Sequence, residues 1–264
     1  GDEARLSESV SRVADYDRVA AGYDRRYAIL RYDGVRDTVH GFLGSDRPRA
    51  LEVGCGTGHW LREMAGRASL VVGIDFSAEM LARAKHAAES ERLVRGRAEE
   101  LPWPDATFDR VVCVNALHHF SDRVGFFAEA KRVLRPGGGL LTIGKDPHAE
   151  RDDWWVYEYF PETVAIDRHR FAPVRILRGE LARIGFDWAE SSEADRIEAC
   201  RPASEMLIDG TIDPAFTSQL TVLTGDEFHR GVARIHDANA AAGGALQLVT
   251  DFRLFATIGW LRST

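Results

Sequence analysis

The sequence predicts an α/β fold of three layers, with a mostly parallel sheet between layers of helices. From about residue 49 to residue 145, short apolar segments alternate with longer amphipathic ones, as in parallel strands joined by crossover helices. A glycine-rich turn follows the first apolar segment. Arg110–Val114 is a largely apolar run, as expected of a strand buried on both faces. This pattern is typical of a Rossmann-like sheet.

The elements follow in a regular order along the chain. The expected strands are Ala50–Val53, Leu70–Ile74, Leu93–Arg95, Arg110–Val114, Leu140–Ile143, Trp188–Ile197 and Phe252–Trp260. The first expected helix is His59–Arg67, and the second begins after a cap at Ser77. The third is capped by Ser121 and ends at Pro136 and Gly137–Gly139. The fourth is Val174–Ile184 with Gly185 as C-cap, and the fifth begins with a capping box of Thr224 and Glu227. Residues 150–172 are rich in aromatic side chains and show no clear strand.

We expect one domain over residues 1–264, because α/β domains of this size commonly fold as one unit. Its core is predicted at about 46–145 and 174–264. The remaining helical material, at 1–45, 146–173 and 200–248, is interpreted as a cap.

The amino-acid composition indicates what kind of protein this is and argues against some classes of partner. Hydrophobic residues make up 45% and charged residues 28%, as in an ordinary soluble protein, and the net charge of −7 argues against nucleic acid or an anionic membrane as a partner. No apolar run approaches the roughly 18 residues of a membrane helix, and the N-terminus lacks a signal-peptide core. The three cysteines fit neither a disulfide framework nor a zinc site, so we expect a cytoplasmic protein without a metal.

The glycine-rich turn reads Glu52-Val53-Gly54-Cys55-Gly56-Thr57-Gly58. Such a turn lies at the carboxyl edge of the sheet and lets the backbone approach a ligand closely. The dinucleotide fingerprint needs a sixth-position glycine, where this chain has His59 or Leu61, and the P-loop sequence Gly-Lys-Ser/Thr is absent. Asp75, at the end of the second strand, is placed to accept hydrogen bonds from ribose hydroxyls.

Five segments together resemble one family. They are Leu51–Trp60, Gly73–Met80, Gly96–Pro104, Phe108–Phe120 and Leu134–Leu141. The resemblance, which covers about residues 10–145 well, is to the class I S-adenosylmethionine (SAM)-dependent methyltransferases, in particular the type 11-like subgroup that acts on small molecules. It implies a seven-stranded sheet with the last strand antiparallel, SAM as methyl donor, S-adenosylhomocysteine as product and a small-molecule acceptor.

The resemblance also places the SAM site. The implied SAM-binding residues are Tyr16, Tyr23, Glu52, Gly54, Cys55, Gly56, Gly58, Asp75, Phe76, Met80, Arg97, Ala98, Glu99 and Asn115. Glu52 would hold the ammonium of SAM, through water, and the Asn115 carbonyl is a further partner for that group. Tyr23 would close over the methionine part, or Tyr16 and Tyr23 form the buried stripe of a helix.

Arg97 departs from the family pattern. The family has an aspartate there, which binds the adenine amino group. Adenine recognition is therefore expected to rest on the backbone of Ala98 and Glu99 or on the Glu99 side chain.

For the catalytic base and for the substrate-binding region, the sequence leaves alternatives open. His118 or His119 is a candidate general base, or the pair satisfies backbone groups and begins the next helix. The aromatic stretch Trp154–Phe160 is interpreted as part of a substrate lid, as packing of the cap, or as a dimer surface. A SAM-binding sensor or partner subunit without catalysis is the alternative function. A nicotinamide-dependent oxidoreductase is disfavoured by His59, and either a monomer or a homodimer is compatible with the sequence.

Overall fold

A computed structural model describes residues 24–85 and 92–263, which divide into two compact units. The described residues of 32–146, 172–195 and 254–263 are the core unit. Those of 24–31, 147–171 and 196–253 are the second unit. Residues 32–45, predicted as part of a cap, thus lie in the core unit.

The sheet strands, in chain order, are β1 (Arg49–Val53), β2 (Leu70–Asp75), β3 (Leu93–Arg95), β4 (Phe108–Val114), β5 (Leu134–Gly144), β6 (Asp153–Trp154), β7 (Trp188–Pro202) and β8 (Gln247–Trp260). The α-helices are α1 (Arg25–Ile29), α2 (Asp33–Leu43), α3 (His59–Ala65), α4 (Ala78–Ala84), α5 (Arg123–Val133), α6 (Trp155–Tyr159), α7 (Glu162–Arg170), α8 (Val174–Ile184), α9 (Ala203–Met206), α10 (Ser218–Thr221) and α11 (Gly225–Ala241).

In the core unit the strand order is β3-β2-β1-β4-β5-β8. The first five strands pair in parallel, and β8 runs antiparallel to β5 from Gly139↔Trp260 to Gly144↔Phe255. The central strands β1, β2 and β4 are largely buried, as is usual when helices cover both faces of such a sheet. The predicted α/β fold, mostly parallel with an antiparallel last strand, is confirmed.

Several predicted boundaries are confirmed and others were wrong. Helix α8 has the predicted bounds, with Gly185 in the left-handed conformation at φ 95°. Pro136 and the following glycines lie within β5, which begins directly after α5. Ser121 does not cap α5: Asp122 does, because its side chain accepts the Gly125 N–H while the Ser121 hydroxyl bonds elsewhere.

The second unit contains helices, the short strand β6, and the parts of β7 and β8 that lie within residues 196–253. β6 pairs antiparallel with Thr250 and Asp251 of β8, so an eighth strand lies in the aromatic segment where no strand was expected. The predicted capping box of Thr224 and Glu227 opens α11. Gly231 in α11 leaves room for the Phe160 ring, with which the β-carbon of any other residue would collide.

No helix within residues 24–85 and 92–263 is long and apolar enough to span a bilayer.

Candidate functional site

The glycine loop between β1 and α3 has a left-handed backbone at each of its three glycines. The φ angles of Gly54, Gly56 and Gly58 are 74°, 52° and 80°, a region that only glycine enters without strain. The N–H groups of Gly54 and Cys55 both donate to the Ile74 carbonyl, at 2.8 and 3.1 Å. The loop is therefore attached to the end of β2.

Asp75 fixes the same loop through its side chain. Its Oδ2 accepts the Gly56 N–H at 2.8 Å, and its Oδ1 accepts the Ser77 N–H at 2.9 Å. Each carboxylate oxygen can accept more than one hydrogen bond. The arrangement presents a carboxylate beside the loop, at the carboxyl end of β2, where open α/β sheets bind ligands.

Glu52 is a carboxyl group inside the core unit. The residue is 1% exposed, and neither oxygen has a hydrogen bond of normal geometry to the described residues, although the Leu61 N–H faces it. Burial first, and then the charge of Asp75, raise the pKa of Glu52 well above its usual range, against the opposing charge of Arg62. A buried acid of this kind lowers stability, which is a frequent property of functional sites.

Cys55 lies in the loop with its side chain turned inward. It is 5% exposed, and burial together with Glu52 and Asp75 raises the pKa of its thiol well above the usual value. We therefore expect an unreactive thiol at neutral pH, because the thiolate is the nucleophile. What Cys55 can offer a ligand is its backbone.

Asn115 follows β4 at the same edge of the sheet and has a φ of 52°, an uncommon value for a residue other than glycine. Its N–H donates to the Ile143 carbonyl at 2.8 Å. The next residue, Ala116, packs so closely on Gly54 that a β-carbon there would collide with it. The segment after β4 and the glycine loop are thus in direct contact.

The segment after β3 is held by Glu99. Its Oε1 accepts hydrogen bonds from the Ser121 N–H, the Ser121 hydroxyl and the Asp122 N–H at 2.8–3.1 Å. Burial alone would raise the pKa of Glu99, but these hydrogen bonds, aided by Arg97, keep it below the usual range. Ala98 is 6% exposed, so its backbone is what it can present.

Phe76 and Met80 differ in their access to a ligand. Phe76 directly follows Asp75, and its ring is 62% exposed. Met80 is 1% exposed and lies on the buried face of α4. Of the two side chains, only that of Phe76 is open to a ligand from solvent.

His118 and His119 lie in a 3-10 helix, Leu117–His119, that follows Asn115. Their ring centroids are 3.7 Å apart, and both residues are partly exposed. The structure thus brings together the loop, Asp75, Phe76, Asn115 and the histidine pair in the core unit. Tyr16 and Tyr23, the remaining predicted site residues, lie outside the described residues.

The sequence interpretation missed a buried polar network in the second unit. The Tyr157 hydroxyl donates to Asp167 Oδ2 at 2.6 Å, and Gln219 Nε2 donates to the same oxygen at 2.9 Å. Asp167 is fully buried, and Arg170 lies 3.6 Å from its Oδ1. The i, i+3 spacing of Asp167 and Arg170 is a possible sequence signal, whereas the distant Gln219 gives none.

A family described as a methyltransferase domain matches residues 51–142, which include the loop, Asp75, Phe76 and Asn115. The demethylmenaquinone methyltransferase of Bacillus licheniformis is 40% identical over 138 residues, which are 48% of this chain and 60% of that protein.

Residues 51–142 therefore form a class I SAM-dependent methyltransferase domain. It is of the type 11 kind, as the resemblance predicted. The chain spans about three fifths of the length of the curated relatives it matches. The match therefore identifies the methyltransferase domain but not the reaction of the whole protein.

Solved structures share the methyltransferase fold. The YcgJ protein of Bacillus subtilis has a TM-score of 0.61 and 18% identity, with 88% of this chain and 100% of that chain covered. The (4+2)-cyclase SpnF has a TM-score of 0.56 and 22% identity, with 88% and 81% covered. At these identities the likeness shows the fold alone, and it includes a protein named for a different reaction.

The residues of the methyltransferase domain fit SAM, the cofactor of this class. Glu52 is a buried carboxyl that lacks a hydrogen bond of normal geometry among the described residues, suited to a cationic amino group. At Gly56, apart from its chain neighbours, no heavy atom of the described residues lies within 4 Å of the place a β-carbon would take. Among residues 24–85 and 92–263, no group of three metal-ligating side chains is placed to hold an ion.

Proposed function

We propose that this protein transfers the methyl group of SAM to a small-molecule acceptor by in-line displacement. The observation that carries the proposal is the Asp75 carboxylate, which is bonded to Gly56 of the loop at 2.8 Å within the matched domain. Such a carboxylate, next to a loop of three left-handed glycines, suits a nucleoside without a phosphate.

In this proposal the residues of the core unit bind and orient the donor. Asp75 accepts hydrogen bonds from the ribose hydroxyls, and the Glu52 carboxylate attracts the ammonium. Phe76 and the backbone of Ala98 contact the base, and the Asn115 carbonyl accepts from the amine. SAM, when bound, supplies a methyl group already activated by the sulfonium, so the chain has mainly to align the acceptor and exclude water.

His118 or His119 is proposed as the base that takes a proton from a protic acceptor. Support comes from their position, three and four residues after Asn115, and from their partial exposure. An imidazole in reach of the acceptor contributes typically 10²–10⁴-fold to such a step. Tyr16 and Tyr23 are retained as proposed contacts of the methionine part.

The acceptor is proposed as a small molecule because the similar relatives are named for one, demethylmenaquinone. The match to the family ends at residue 142, so the aromatic segment Trp154–Phe160, proposed as part of a substrate lid, lies outside it. Demethylmenaquinone is therefore the first compound to test, and not an assignment.

The setting is proposed to be the cytoplasm, with neither nucleic acid nor membrane as a partner. The net charge of −7 and the exposed free thiol of Cys200 support this. Either a monomer or a homodimer is compatible with the proposal, and sedimentation or light scattering decides between them.

Incubation with methyl-labelled SAM and an extract of the native cell tests the reaction. We expect label in a small molecule, identified by mass spectrometry, and S-adenosylhomocysteine in equal amount. The Asp75→Ala protein serves as control. Binding of SAM without label in any product would contradict methyl transfer and favour a SAM-binding sensor or partner subunit, whereas binding of NAD without SAM would contradict the donor.

A further inference from the structure

Beside Asp75 the core unit exposes a cluster of one aromatic ring and two guanidinium groups, Phe76, Arg95 and Arg97. The Arg97 and Arg95 guanidinium carbons lie 5.7 and 5.9 Å from the centre of the Phe76 ring. Both distances are within the range of cation–π attraction. The Phe76 ring is nevertheless 62% exposed, so much of its surface is open to a further planar group.

Arg97 is held in this position by the segment that precedes α5. Its Nη2 donates to the Ser121 hydroxyl at 2.8 Å, and its Nε lies 3.6 Å from Glu99 Oε2. The side chain is 48% exposed, but two partners define the direction of its guanidinium. Arg95 is fixed differently, since its Nε donates to the Phe76 carbonyl at 3.1 Å.

The cluster offers hydrogen-bond donors and few acceptors. A guanidinium has five N–H donors and no acceptor. The Glu99 carboxylate, 3.6 Å from Arg97, uses Oε1 for three donors of Ser121 and Asp122 and faces Arg97 with Oε2. A planar base stacked on the Phe76 ring would therefore have the donor groups of Arg97 and Arg95 close to it.

We propose that Arg97 determines the base specificity of the donor site. The site binds a purine by stacking on its ring and by donating hydrogen bonds to its acceptor atoms, and it does not require the 6-amino group. The ligand class is nucleoside thioethers and sulfoniums that have either adenine or hypoxanthine as the base. Hypoxanthine has a carbonyl oxygen at position 6, and Arg97 can donate a hydrogen bond to it. This inference rests on the proposed donor-binding function.

Calorimetry with S-adenosylhomocysteine and S-inosylhomocysteine tests the proposal on the whole protein. We expect the two Kd values to differ by less than about fivefold, because no buried acceptor loses its partner when the amino group is replaced. A preference for S-adenosylhomocysteine above fivefold overturns the inference and leaves the donor site intact. Failure of S-adenosylhomocysteine to bind at all overturns the donor site as well.

Substitutions assign the effect to Arg97. Arg97→Asp supplies an acceptor and repels the carbonyl, so the preference for S-adenosylhomocysteine should rise at least about fivefold. Arg97→Gln, with both donor and acceptor atoms, should raise it less and is a second variant if the first does not fold. Arg95→Gln is the matched control and should leave the ratio unchanged. An unchanged ratio in the folded Arg97 variants, or an equal change in Arg95→Gln, overturns the assignment.

Discussion

The Asp75 carboxylate accepts a hydrogen bond from the Gly56 N–H at 2.8 Å and thereby joins the end of β2 to the loop that follows β1. The two strands are parallel neighbours up to the pair Val53↔Ile74, so the loop and the carboxylate emerge side by side. A single carboxylate thus shapes the glycine loop, and it is the same carboxylate that we propose as the ribose-binding group. Substitutions in this pair are expected to affect binding more than stability.

Gly54→Ala should disrupt the site from the backbone. Its φ of 74° disfavours any β-carbon, and Ala116 occupies the space that the added methyl needs. We expect SAM binding to fall at least about tenfold and the unfolding free energy by about 1–3 kcal/mol. Calorimetry and thermal unfolding measure both. Gly41→Ala in α2, where a β-carbon meets nothing within 4 Å, is the control, and equal effects of the two would contradict the prediction.

Glu52→Gln should make the protein more stable at high pH. The raised pKa means that, above about pH 4.5, folded Glu52 keeps a proton that the unfolded chain has lost. The folded state then binds more protons, so this residue lowers the free energy of unfolding as pH rises. The gain in melting temperature from Glu52→Gln should be larger at pH 8 than at pH 5. The same gain at both values would refute the assigned pKa direction.

The affinity of the Glu52→Gln variant for SAM should fall, although its stability rises. The SAM ammonium would favour the deprotonated form of Glu52, which an amide cannot adopt, so we expect affinity to fall at least about tenfold at pH 8. A more stable protein that binds SAM less well is the pattern of a functional carboxylate.

The histidine pair is tested once the acceptor is known. His118→Ala or His119→Ala should lower kcat at least about tenfold with little change in the KM for SAM, as expected for loss of a general base. His236→Ala, an exposed histidine of α11, is the control. Full kcat in both single variants would assign the pair a structural role.

Tyr157→Phe probes the buried network of the second unit. The change removes the 2.6 Å hydrogen bond to the fully buried Asp167, so we expect a loss of about 1–3 kcal/mol in stability. Hydrogen exchange of α7 measures that loss locally. Unaltered protection there would mean that Asp167 finds a substitute partner.

The sequence alone predicted the elements that depend on local pattern. The strands of the core unit, the left-handed Gly185 and the capping box of Thr224 follow from periodicity and cap chemistry, which neighbouring residues decide. The cap of α5 was assigned one residue too early because Ser121 and Asp122 are both good caps. Only the tertiary contact of Ser121 with Glu99 decides between them.

The geometry of the candidate site also depends on tertiary contacts that a local sequence pattern does not contain. The motif indicated Asp75 and Glu52, but the bond from Asp75 to Gly56 and the burial of Glu52 depend on how β1 and β2 pair. The exposure of Phe76 and the burial of Met80, four residues apart in one motif, could not be distinguished without the packing of α4. The two-residue β6 is too short to have a period.

The most direct test of the central claim is calorimetric titration of SAM into the native protein and the folded Asp75→Ala variant. We predict binding to the native protein and an affinity at least tenfold lower in the variant, consistent with lost hydrogen bonds to a buried ligand. Asp37→Ala, an exposed aspartate of α2, should bind as the native protein does. No heat of binding with the native protein, or equal affinity in Asp75→Ala, would contradict the donor site described here.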